Sequence, residues 1–223
     1  KSRGLGDVYK RQDIAQEGAL FRAFPLIQNG AFQDKATRAI LNTPPYPARN
    51  INQNIADLKA QIAANTKGVQ EIHKMVEQFG PDLVNAYMDY IQDAAEQAVR
   101  KAIAKLQNGK WVYPLDIGAE IHVSVQVDQA HGTATIDFSG TSLQGSHNFN
   151  APLAITRAAV LYVFRCLVDD DIPLNAGCLK PIRLIVPKGS LLNPLPPAAV
   201  VAGNVETSQA VTNALLLAMN IAA

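Results

Sequence analysis

The chain has 223 residues, 48% of them apolar and 17% charged, and its 20 Lys and Arg against 19 Asp and Glu leave a formal net charge of +1. This composition supports a buried core and excludes intrinsic disorder. A balanced charge without like-charge blocks offers no electrostatic footprint for nucleic acid or an anionic membrane surface. No apolar run reaches the roughly 20 residues that cross a bilayer, so no membrane span is expected.

The opening run KSRGLGDVYKRQ has neither apolar periodicity nor a signal-type hydrophobic region. It reads as translated adapter sequence, so residues 1–12 are set aside and 13–223 are taken as a partial domain truncated at both ends. A helix-like segment near Asp34 to Leu41 closes on Pro44, Pro45 and Pro47. From Ile51, the apolar positions Ile55, Leu58, Ile62, Val69, Ile72, Val76 and Phe79 keep one helical stripe. Gly80 and Pro81 then predict a tight break into a second long helix bearing Val84, Tyr87, Ile91, Ala95, Ala98, Ala102 and Leu106, which ends near Asn108. The two stripes predict a long antiparallel helical hairpin, buried at Ile55, Leu58, Ile62, Ile72, Val76, Ile91 and Leu106.

The period then changes to two. Ile121, Val123, Val125 and Val127 alternate with polar residues, His131 and Gly132 turn the chain, and Ala134, Ile136 and Phe138 alternate again, which predicts a β-hairpin. A polar loop from Gly140 to Asn150 leads into an almost wholly apolar helix, Pro152 to Val168, expected to be sandwiched inside the domain. A strand is expected at Ile182 to Val186 and a buried one at Ala199 to Ala202. The turn Gly203–Asn204 follows, and then an apolar helix from Ser208 that stops without a cap. Helices first and strands later give an α+β class with a mixed or antiparallel sheet and a buried helix, part of a larger domain. Cys166 and Cys178 are too few and too far apart for a zinc site. Cys166 sits in the apolar helical run, where a reduced, buried thiol is expected, and this favours a cytoplasmic location.

Candidate chemistry is sparse. Asn54, Asp57, Gln61 and Asn65 recur every three or four residues, so a strip of amides around one carboxylate projects from the first long helix. Such a strip can bind a polar ligand or serve as a solvated face. GNVETSQ, residues 203–209, sets Asn204 and Glu206 at the entry to a helix. There backbone N–H groups can face an anion or carbonyl, or Thr207 and Ser208 can simply cap the helix. Asp169, Asp170 and Asp171 read as a solvated loop. The histidines His73, His122, His131 and His147 form no metal motif, and no serine or cysteine sits in a nucleophile motif.

The segments NINQNIADLKAQIAANTKG, YMDYIQDAAEQAVRKAI, NFNAP, LYVFRCLVDDDIPLNAGCLKPIRLIVPKGSLLNP and AVVAGNVETSQ together resemble the hydantoinase B/oxoprolinase family, in order and over nearly all of residues 17–217. That family includes the C-terminal half of 5-oxoprolinases and the B subunit of N-methylhydantoinases, and is related to the large subunit of acetone carboxylases. The resemblance implies an ATP-dependent hydrolase of small cyclic amides that works with an A-type ATP-using domain or subunit in a homo- or hetero-oligomer. It also implies a divalent metal in the complete enzyme. The family's Gly-Gly-Thr-His-like metal motif is expected upstream of residue 13 and its glycine-rich blocks beyond residue 223, so neither ATP nor metal is expected to bind within the chain. Asp57 becomes the candidate catalytic residue, and Gln61, Asn65, Asn148, Asn150, Asn204 and Glu206 the candidate substrate-binding set. His147 stands where the family commonly has Gly. Two alternatives stay open: an assembly scaffold whose helical hairpin docks the A-type partner, and a subunit of an acetone-carboxylase-like enzyme.

Overall fold

The computed structural model of the protein describes residues 10–221. It divides into two units, Ile14–Tyr87 and the chain from Met88 onward together with the segment ending at Asp13. The reading of residues 1–12 as non-native falls mostly outside the described residues. Gln12 and Asp13 are tied in, the first accepting from the Ala199 N–H at 3.4 Å and the second bridged to Ala198.

The first unit opens with a minimal hairpin, β1 (Ile27–Gln28) against β2 (Ala31–Phe32). Its Asn29–Gly30 turn has both residues at positive φ, 51° and 76°, the geometry that lets a two-residue loop follow the strand twist. Helix α1 (Asp34–Leu41) lies where its pattern placed it, and Thr37, fully buried, returns its hydroxyl to the Gln33 carbonyl at 2.7 Å. Helix α2 (Ile51–Phe79) packs against α1. Its start is set by Asn50, whose side chain accepts the Gln53 N–H at 3.1 Å. Gly80, at φ 79°, ends it, and Pro81 occupies the first position of α3 (Pro81–Ile103).

The break between the long helices is therefore where Gly and Pro predict it, but the expected burial is not. Of the predicted stripe only Ile55 is buried; Leu58, Ile62, Val76 and Leu106 are half-buried, and Ile72 and Ile91 are exposed. Helical spacing reports that a stripe is apolar and leaves open what covers it. Helix α3 also stops earlier than expected. After Ile103 the backbone tightens, Lys105 and Leu106 donating to the carbonyls of Ala102 and Ile103, and the chain enters a strand that went unpredicted.

That strand is β3 (Gly109–Pro114), followed by β4 (Glu120–Asp128) and β5 (Thr133–Asp137); these three run antiparallel. Helix α4 (Leu153–Cys166) lies on the crossover to β6 (Ile182–Ile185), which pairs parallel to β5. The sheet order β3-β4-β5-β6 is thus mixed, in an α+β fold. One face is apolar: Ile121, Val123 and Val125 of β4 and Ala134 and Ile136 of β5 are buried, as the alternation required, while His122 and Ser124 point away. Helix α5 (Ser208–Ala218) packs on β3, β4 and α4. A β-carbon at Gly109 would fall 1.8 Å from the Ala218 carbonyl oxygen, so only glycine permits that approach. The C-terminal half of α3 adds Ala95, Val99 and Ile103 to the same core.

Four further expectations are corrected. Helix α4 buries one stripe, Thr156, Ala159, Val160, Val163 and Phe164, and exposes Ala154, Arg157, Ala158 and Tyr162; it is one-sided, not sandwiched. Cys166 is consequently exposed, while Cys178 is buried, and both are free thiols. Residues 199–202 form no strand. Helix α5 does have a cap: Asn220, at φ 56°, donates to Leu217 O, and Ile221 donates to Leu216 O, a paired closure in which Asn takes the usual glycine position. No helix among the described residues is long and apolar enough to cross a membrane.

Core and stripe should respond differently in this chain. Phe164→Ala, at a fully buried site, is expected to cost about 3–5 kcal/mol. Ile72→Ser, on the exposed stripe, is expected to change stability by no more than about 0.5 kcal/mol. Urea denaturation of the two variants checks both, and equal losses would show that the stripe is covered.

Candidate functional site

In the second unit, the loop after β5 folds over the segment that leads into α5. Asn150 is fully buried and its amide is completely engaged. Its Oδ1 accepts the Gly145 N–H at 3.0 Å, and its Nδ2 donates to the carbonyls of His147 at 2.7 Å, Ala199 at 2.9 Å and Gly145 at 3.1 Å. The neighbouring Asn148, also fully buried, accepts the Ala202 N–H on its carbonyl at 2.9 Å. The Thr207 hydroxyl donates to the Phe149 carbonyl. Residues 199–202 form no strand because their backbone groups find scattered partners: Ala199 O and the Ala202 N–H bond to the Asn148–Asn150 loop, the Ala199 N–H to Gln12 O, and Val200 O and Ala202 O accept from residues 203–206.

Gly203 opens a π-helical turn, Gly203–Thr207, that leads directly into α5. A β-carbon there would meet the Asn150 carbonyl oxygen at 2.1 Å, so the glycine provides close approach. Gly203 and Thr207 are buried beneath the turn, while Asn204, Val205 and Glu206 are exposed on it. The structure therefore brings Asn148 and Asn150 against the 199–207 segment, and gives Asn150 a structural set of partners where a substrate contact was expected. Asn204 and Glu206 stay accessible.

His147 is built into this loop. Its Nδ1 faces the Phe149 N–H at 3.3 Å and its ring meets the Phe149 ring nearly edge-on, centroids 5.8 Å apart. A β-carbon at Gly145 would fall 2.2 Å from Nε2. Partial burial pushes the imidazole below its ordinary pKa, which keeps Nδ1 free to accept.

In the first unit, Asp57, Gln61 and Asn65 lie exposed on α2, and Asn54 is half-buried. The Asp57 carboxylate accepts from Gln53 Nε2 at 2.8 Å. Sequence reasoning passed over a second feature of this unit, an open cleft of about 790 Å³ beside the start of α2, lined by Lys35, Arg38 and Arg49. Its one sequence signal was the i, i+3 spacing of Lys35 and Arg38 on α1. Among the described residues, no three His, Cys, Asp or Glu side chains converge where a metal ion could sit.

A model of the family described as hydantoinase B/oxoprolinase matches residues 6–223. The chain belongs to the hydantoinase B/oxoprolinase family. 5-Oxoprolinase 1 of Arabidopsis thaliana is 41% identical over 234 residues, which cover 94% of this chain and 18% of that protein. The crystal structure of ATP-dependent caprolactamase from Pseudomonas jessenii matches with a TM-score of 0.74 at 18% identity, covering 94% of this chain and 37% of that one. Nucleotide-free acetone carboxylase gives 0.74 at 16% identity, over 95% and 30%. The two structures establish a shared fold. This hydantoinase B/oxoprolinase chain thus spans about a fifth of the length of the curated relative, and its match begins inside the first twelve residues.

The His147 geometry gives a pH signature. A histidine whose folded pKa is depressed binds its proton more readily in the unfolded chain, so its stabilising contribution is full above the ordinary value of 6.5 and is lost as pH falls toward the folded value. Protonated Nδ1 also cannot accept from Phe149. His147→Asn, which does not titrate, should therefore gain on wild type in melting temperature between about pH 7.5 and about pH 5. A difference independent of pH would contradict this.

Proposed function

We propose that this chain is one part of an ATP-dependent hydrolase of small cyclic amides, which opens 5-oxoproline to glutamate or opens a hydantoin ring. The 41% identity to 5-oxoprolinase 1 across 94% of the chain is the observation that carries this reading. A five-membered lactam is a poor electrophile. ATP supplies a phosphoryl group to the amide oxygen, which weakens amide resonance before water attacks. An A-type domain or subunit provides the ATP-using half, and the assembly works in the cytosol. The divalent metal that the family resemblance implies finds no ligand set among the described residues, so no step is assigned to it here.

Within this chain, α2 presents Asp57 as the exposed carboxylate of an amide strip, held in orientation by Gln53. A carboxylate there can accept a hydrogen bond from a ring N–H or from attacking water, and hold the proton that water loses. Gln61 and Asn65, with donors and acceptors on one side chain, suit the alternating C=O and N–H edge of a cyclic amide. In the second unit, by itself, Asn204 and Glu206 are polar side chains exposed on a turn whose Gly203 and Thr207 are buried.

A second reading, the docking scaffold, is favoured by a separate observation. Val69, Ile72, Met75 and Phe79 of α2 and Leu83 and Tyr87 of α3 are all exposed within the first unit. So much apolar surface suits an interface better than solvent.

In the full-length enzyme, Asp57→Asn and Asn204→Ala are expected to lower kcat/KM roughly tenfold or more while changing stability by no more than about 0.5 kcal/mol. Wild-type turnover in both variants would reject the site and favour the scaffold. The 223-residue chain alone is expected to release no glutamate from 5-oxoproline and ATP; turnover without a partner would overturn the division of labour.

A further inference from the structure

Strand β3 stands first in the sheet order β3-β4-β5-β6, so only one of its sides is paired. The hydrogen bonds around it show which backbone groups point the other way. In the turn to β4, Leu115 donates to the Ala119 carbonyl at 2.8 Å, and on the far side of β4 Glu120 and His122 exchange bonds with Ser142 and Thr141. Antiparallel pairing alternates along a strand. Tyr113, Trp111 and Gly109 therefore bond to their β4 partners Ile121, Val123 and Val125, while Lys110 and Val112 turn both N–H and C=O to the side beyond which no described strand lies. The side chains suit an open edge too. Lys110 is exposed, Val112 is 46% exposed, and Trp111 is 44% exposed although it stands opposite the buried Val123. Trp111 is the single tryptophan of the sequence.

The residues of this edge select a partner. A second copy of the strand can pair with it antiparallel across a twofold axis, in a register centred on Lys110, Trp111 or Val112. Centring on Lys110 sets the two ammonium groups directly opposite one another, which is unfavourable. Centring on Val112 sets Lys110 against Pro114, which has no N–H to give. Centring on Trp111 has neither fault. Each Lys110 then faces the other copy's Val112, both pairs close rings of reciprocal backbone hydrogen bonds, and the lysine stems lie on valine methyls. The two indoles become a non-hydrogen-bonded pair, the arrangement in which cross-strand side chains approach most closely. Pro114 stops the pairing from running further along the strand, and a net charge of +1 per chain leaves little repulsion between copies. We propose that β3 is a homodimerisation edge, at which two copies of this chain join their four-stranded sheets into one continuous sheet about a twofold axis at Trp111. Such an interface is isologous and closes on itself. Dimerisation through β3 does not depend on the chemistry that the enzyme carries out.

Sedimentation equilibrium of the 223-residue chain from about 1 μM to about 1 mM covers the range expected of a small interface. It is read together with Trp111 fluorescence and amide hydrogen exchange by NMR. A reversible dimer is expected, with Trp111 emission moving to shorter wavelength and the Lys110 and Val112 amides exchanging roughly tenfold or more slowly as it forms. Val112→Lys places a second ammonium opposite Lys110 of the other copy, and Val112→Pro removes one edge N–H, a change that edge strands tolerate. Each is expected to raise the dimer Kd roughly tenfold or more. Val112 is exposed, so both variants should keep the fold, and circular dichroism verifies it. Ile72→Ser/Phe79→Ser, on the exposed stripe of the first unit, should leave the dimer unchanged. A chain that stays monomeric across the range overturns the proposal. So does a dimer that survives both Val112 variants, one that is lost in the stripe variant, or one whose Lys110 and Val112 amides exchange as fast as in the monomer. Open-ended assemblies in place of a dimer overturn it as well.

Discussion

The second unit depends on one buried primary amide. Asn150 has a single carbonyl and two N–H bonds, and it uses them to close its own loop at Gly145 and His147 and to hold Ala199, forty-nine residues further on. An aspartate of the same shape would leave three carbonyls without a donor and bury a charge, which is far more costly than losing one exposed hydrogen bond. Everything near it follows from this closure. With Ala199 held, Ala202 can donate to the Asn148 carbonyl, Gly203 can pass within contact of the Asn150 backbone, and Thr207 can reach Phe149. The turn that presents Asn204 and Glu206 is thus tied from below to the Asn148–Asn150 loop.

Most of the elements whose cause is local could be read in the residues. The Gly80–Pro81 stop ends α2 where the residues placed it, and the alternation from Ile121 to Phe138 gave both the hairpin and its buried face. The Asn29–Gly30 turn was legible in principle, since that dipeptide adopts two positive φ angles more readily than almost any other. Its flanking strands, two residues each, are too short to show a period. Strand β3 escaped for a related reason: Trp111 and Val112 are both exposed, so no apolar alternation marks an edge strand whose pairing with β4 comes from backbone groups. The apolar run Ala199 to Ala202 misled in the opposite direction, because burial by a side-chain clamp and burial in a sheet leave the same composition.

The candidate site divides along the same line. Asp57, Gln61 and Asn65 share one strip of α2 by helical geometry alone, which is why spacing could find them. The role of Asn150 could not be found that way, because its decisive partner is remote in sequence. Nor could spacing expose the basic cleft, where Arg49 joins Lys35 and Arg38 only after the prolines between α1 and α2 have turned the chain. The apolar stripe on α2 and α3 is the complementary case. Its amphipathicity is local and was legible; its burial was not, because spacing carries no information on what packs against it, and among the described residues Val69, Ile72, Met75 and Phe79 stay exposed.

Position 147 shows how one bulky side chain is built into a tight loop. The imidazole of His147 is accommodated by a glycine two residues earlier, where any β-carbon would collide with the ring. The ring is then used: Nδ1 receives the Phe149 N–H, a donor that a glycine at 147 would leave to solvent or to another partner. Only the neutral imidazole can do this, and partial burial favours that form. His147 therefore couples the loop that anchors residues 199–207 to a titrating group, so the protonation state of one side chain bears on the closure beneath the Gly203–Thr207 turn.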